Sequence, residues 1–138
     1  MKPHQLAHAT FVIYQDIEPP EFWTKYFGVS PSRAGMKGQP RTMPSGRVSA
    51  FPWRQGIWSV SSKEAVTSDD LAPHLRYLAG LLNLPRPDLR ELVVRTNAQM
   101  RFFCYWDNAT GDRIPDVPES IRTMMEEMGG TIEIDEYR

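Results

Sequence analysis

Residues Ala9 to Tyr14 read ATFVIY, a β-branched and aromatic run in which both alternating sets carry apolar side chains: Phe11 and Ile13 on one side, Val12 and Tyr14 on the other. A strand without a polar face belongs inside a sheet rather than at its rim, so this segment is expected to take a central position. The closing segment Thr131 to Tyr137 (TIEIDEY) alternates strictly, Ile132 and Ile134 against Glu133 and Asp135, and predicts a strand wet on one face.

Between these two strands the apolar period changes. In 20–27 the aromatic pairs Phe22/Trp23 and Tyr26/Phe27 recur at i, i+4, and Gly28 stands where a left-handed residue closes a helix. Leu71, Leu75, Leu78 and Leu82 form a helical stripe, with Asp70 as the expected N-cap because Pro73 is tolerated only in a first turn. Ile121, Met124, Met125 and Met128 mark a third helix from about Pro118, capped by Asp116 and closed by Gly129-Gly130. The remaining apolar runs, 47–53, 57–61, 89–96 and 99–106, read as strands, the last with Met100, Phe102, Cys104 and Trp106 on one face. Gly56 is expected to turn the first pair of these through positive φ, and Pro52 argues for an edge or a bulge. The order is β-α-β-β-α-β-β-α-β: an α+β fold with a single antiparallel sheet of about six strands and two to three helices packed on one face.

The chain has 138 residues, 41% of them hydrophobic and 24% charged, enough for a single domain over 1–138 with its own core. Residues 1–8 are expected to form a flexible N-terminus. Residues 33–46, rich in glycine and basic residues, are expected to form a mobile loop or a poorly packed edge ribbon. The one cysteine, Cys104, excludes an internal disulfide and fits a reducing cytoplasm. No apolar run has the length of a signal-peptide core or a membrane span, so neither export nor membrane association is expected.

Several pieces taken in order resemble a bacterial family, domain of unknown function 4279. They are the first strand leading into the aromatic helix and Phe27-Gly28-Val29-Ser30-Pro31, the basic stretch Arg33-Ala34-Gly35, Trp58-Ser59-Val60-Ser61-Ser62, the leucine helix 71–82, the Met100 to Trp106 strand, and Gly129-Gly130-Thr131-Ile132-Glu133-Ile134-Asp135. The first helix is more aromatic than the family's leucine-and-glycine pattern. The resemblance implies a small bacterial or phage-borne α+β domain without assigned catalytic residues, and it carries no site to transfer.

Chemistry-bearing constellations are sparse. His4, His8 and His74 are too scattered for a metal triad and read as solvated surface residues. Cys104 reads as a small buried hydrophobe rather than a nucleophile. Asp107, Asp112 and Asp116 lack calcium-loop spacing. No nucleotide-loop or hydrolase motif occurs, so no catalytic residue, metal or cofactor is expected and the chain is read as non-enzymatic.

Charge is the informative signal. The net charge is only −1, yet 22–63 holds seven basic residues and no acid, whereas 107–138 holds three basic residues against nine acidic ones. Either the two blocks neutralise each other in the fold, or one faces a partner. Arg33, Lys37, Arg41, Arg47 and Arg54, interleaved with Phe51, Trp53 and Trp58, are the candidate partner- or anion-binding residues. Arginine beside tryptophan is the composition of a protein-interface hot spot, and flat faces among cations also suit single-stranded nucleic acid. The expected function is macromolecular binding, of an immunity or anti-defence kind, with another protein as partner. The contact surface is either 33–58 or the acidic segment 107–136, and a nucleic-acid or anion-binding module using 33–58 is the alternative.

Overall fold

The computed structural model describes residues 7–42, 45–108, 111 and 114–137. Five strands and four helices follow in the order β1 (Ala7–Tyr14), α1 (Pro20–Phe27), β2 (Arg33–Gly35), β3 (Ile57–Ser61), α2 (Leu71–Leu81), α3 (Leu89–Arg95), β4 (Gln99–Asp107), α4 (Glu119–Glu127) and β5 (Thr131–Tyr137). They form one mixed sheet in the order β2-β3-β1-β4-β5. The α+β class stands. The sheet has five strands instead of about six and is not purely antiparallel, because β4 and β5 run parallel with Phe102 beside Ile132 and Cys104 beside Ile134. The chain between them carries α4, and a parallel neighbour requires such a long crossover.

The apolar run at Ala9–Tyr14 does lie centrally, antiparallel to β3 on one side and β4 on the other. One face of the sheet is the core. Phe11, Ile13, Trp58, Val60, Met100, Phe102, Cys104 and Trp106 meet Trp23, Leu71, Leu75, Leu78, Leu82 and Met125 from the helices. Phe27 stacks on Trp58 at 5.1 Å and meets Phe11 edge-on at 5.6 Å. Gly28, at φ 69°, closes α1 with its amide on the Thr24 carbonyl.

Two expected strands are not strands. Leu89–Arg95 is helical, burying Leu89 and Val93 at i, i+4 and leaving Val94 74% exposed. Asn97, at φ 53°, lets the Ala98 amide return to the Val93 carbonyl and ends the helix. Residues 47–53 form no strand and meet the 38–42 segment through the isolated Thr42–Val48 bridge and scattered backbone hydrogen bonds at Ser49 and Trp53. Val48 and Phe51 are each 65% exposed, so no apolar face is buried there to reward a ladder. Conversely, β2 occupies Arg33–Gly35 at the start of the expected loop, and β1 begins at Ala7, inside the segment expected to be flexible.

Local signals were also reassigned in space. Asp70 stands at the N-cap position of α2, as expected, with no side-chain cap bond. The Asp116 carboxylate instead accepts the amides of Leu71 at 2.7 Å and Ala72 at 3.0 Å, so it caps α2 from 44 residues away rather than α4. Gly56 does not take positive φ. A Cβ there would collide with the Gln15 carbonyl, and the Gly56 amide donates to Asp16 at 2.7 Å. His74 is fully buried, its Nδ1 2.6 Å from the Ser62 hydroxyl and its Nε2 2.9 Å from the Ser68 carbonyl, and His8 stacks on Tyr105 at 4.9 Å; neither is a solvated surface residue. Since a carbonyl only accepts, Nε2 carries a proton. His4 and Asp112 lie outside the described residues. No helix among those described is long and apolar enough to cross a membrane.

Candidate partner-binding surface

The basic block is built around Trp53. Its amide donates to the Gln39 carbonyl at 3.0 Å and its carbonyl accepts from Gly38 at 2.8 Å, which folds the segment after β2 back over the edge of the sheet. Its indole packs directly against Gly35: any Cβ there would collide with the ring, so glycine is required for this seating. The guanidinium carbons of Arg33 and Arg41 stand 5.3 and 4.9 Å from the indole centroid. Each cation–π contact at such an exposed place contributes about 0.5–1 kcal/mol, enough to hold two long side chains near the ring.

Three of the candidate residues are thus brought into one cluster, Arg33, Arg41 and Trp53, around an open hollow of about 360 Å³ with Ser32, Pro40 and Thr42. Arg54 joins Arg41 and Trp53 around a smaller neighbouring hollow of about 200 Å³. Lys37 and Arg47 are exposed and line neither. Trp58 does not belong to the surface. It points into the core at 1% exposure, its indole N–H donating to the Thr24 hydroxyl at 3.0 Å. Strand alternation from the buried Val60 carries the signal that Trp58 faces the helices.

Topology sets the strand-forming parts of the two charge blocks apart. β2 and β5 are the two edges of the sheet, four strand spacings or about 19 Å apart. Among the described residues, no carboxylate pairs with Arg33, Lys37, Arg41, Arg47 or Arg54. On the acidic side Glu133 pairs with Arg101 at 2.8 Å, and Asp116 is spent on α2. Apolar exposure accompanies the cations, for Val48 and Phe51 stand in the same segment as Trp53. Cys104 takes no part: it is fully buried and burial pushes its thiol up to about 12, so it stays protonated.

The fold is therefore an α+β sheet with its helices gathered on one face and a basic, tryptophan-centred edge. The family model for the domain of unknown function DUF4279 matches residues 4–138, essentially the whole chain, and the protein belongs to that family. No curated protein and no solved structure matches it.

Proposed function

We propose that this chain is a non-enzymatic cytoplasmic protein that acts by gripping another protein, in the manner of an immunity or anti-defence factor, through β2 and the segment after it. The observation that carries the reading is the half-buried Trp53 flanked by Arg33 and Arg41, with exposed Phe51 and Val48 in the same segment and no described carboxylate paired with either arginine. Tryptophan and arginine dominate binding energies at interfaces, and exposed apolar side chains beside them release water on contact. Cations with no described carboxylate beside them have none there to exchange, so carboxylates of an acidic partner gain charge-assisted hydrogen bonds and a faster encounter.

The second reading, a nucleic-acid or anion-binding module on the same edge, is supported by the two cations around one flat ring. Val48 favours the protein, because an aliphatic side chain offers a base no stacking face.

The test is affinity capture from the source cell, followed by re-binding of the captured protein in purified form. The double variant Arg33→Glu/Arg41→Glu and the variant Trp53→Ala are expected to lose the partner, and Lys25→Glu on the exposed side of α1 to retain it. Capture unchanged by the double variant overturns the proposal. Salt-dependent oligonucleotide binding that disappears with the same double variant installs the second reading in its place.

A further inference from the structure

A different hollow opens on the face of the sheet that the helices leave uncovered. It encloses about 590 Å³ over the middle of β3 and β1, within the size range of small-ligand sites. Val12 and Ile57 form an apolar floor, and Tyr14 and the 39% exposed Phe103 stand at its side. The polar groups are hydroxyls of Thr10, Ser32, Ser59 and Ser61, with Arg33 and Lys63, and no carboxylate among the described residues lines the hollow.

The hydroxyls are poised as donors. The Ser61 amide donates to the Ser32 hydroxyl oxygen at 3.0 Å, and the Lys63 amide donates to that of Ser61 at 3.1 Å. Each oxygen is thus used as an acceptor, while its own O–H finds no acceptor among the described residues. Two cations and two spare hydroxyl donors around an acid-free hollow call for an anion, and the pair of cations suits a doubly charged phosphate better than a single carboxylate. The apolar floor with two aromatic rings beside it calls for a flat ring on the same ligand.

We propose that this groove binds a mononucleotide, its phosphate held by Arg33, Lys63 and the Ser32 and Ser61 hydroxyls and its base lying over Val12 against Phe103. The site shares Arg33 with the partner-binding surface but does not depend on any protein partner. A longer nucleic acid crossing the sheet is disfavoured. Beyond Phe103 and Tyr105 on β4 the same face continues into Glu133 and Asp135 on β5, which repel a phosphate chain.

The experiment is an amide-resolved NMR titration of the full chain with AMP, adenosine, inorganic phosphate and a pentanucleotide. AMP is expected to shift the amides of Thr10, Ser32, Ser59, Ser61 and Phe103 with a Kd below about 1 mM, and adenosine and phosphate to bind at least about tenfold more weakly. Lys63→Ala and Phe103→Ala are each expected to weaken AMP about tenfold. Their spectra elsewhere should be unchanged, which shows that they fold, and Lys25→Glu on α1 should leave AMP binding as it was. The proposal is overturned by no groove shifts at about 5 mM AMP, by phosphate binding as well as AMP, by a pentanucleotide binding more tightly than AMP, or by binding that survives both groove variants.

Discussion

Strand β4 shows two opposite uses of one stretch of chain. Met100, Phe102, Cys104 and Trp106 face the helices and are at most 2% exposed. Arg101, Phe103 and Tyr105 face away, where Arg101 bonds Glu133 and Gln99 and Phe103 meets solvent. Side chains on a strand alternate, so a nine-residue strand serves packing and recognition at once without either set touching the other. The difference teaches that stability is concentrated on the helix-covered face, and that the open face and the β2 edge are free to carry binding.

The comparison predicts its largest contrast between adjacent phenylalanines. Phe102→Ala empties a fully buried site and is expected to cost about 3–5 kcal/mol, against at most about 1 kcal/mol for Phe103→Ala. Urea unfolding measures both, and equal losses would break the distinction between the faces. Asp116→Ala comes next. It removes the acceptor for two amides at the start of α2, the helix that supplies the leucine stripe, and about 1–2 kcal/mol should be lost in the same urea unfolding.

The smallest effect sharpens the boundary between the faces. His8 sits on the open face yet is half-buried against Tyr105, and burial first, then the charges of Lys63 and His74, hold its imidazole below the ordinary 6.5. Unfolded, the group titrates near that ordinary value, so between the two values the unfolded chain binds more protons. Stability is therefore unaffected by this group above about pH 6.5 and falls as the pH drops from there toward the folded value. Melting temperatures on either side of that window should show the slope, and His8→Phe should remove it.

Much of this was legible in residue order. The leucine stripe, the left-handed Gly28, the alternation of β4 and β5 and the central position of β1 all follow from periods and turn chemistry that neighbours in sequence impose on one another. Leu89–Arg95 was not legible as a helix: its seven residues are too few for the two periods to diverge, and Val93-Val94 favours a strand until packing under the sheet selects the i, i+4 pair. Trp53 and Trp58 carry the same residue type five positions apart and end on opposite sides of the chain's purpose, one at the surface and one in the core.

The sequence alone determined which segments are apolar on one side, where most helices start and stop, and that cations and acids occupy separate blocks, because each of these is a property of residues near one another along the chain. Tertiary structure alone decided that the basic β2 segment and the acidic β5 lie at opposite edges of one sheet, that Asp116 caps a helix 44 residues earlier, and that one sheet face stays open. Those outcomes depend on strand order and on contacts between distant residues, and no local period encodes either.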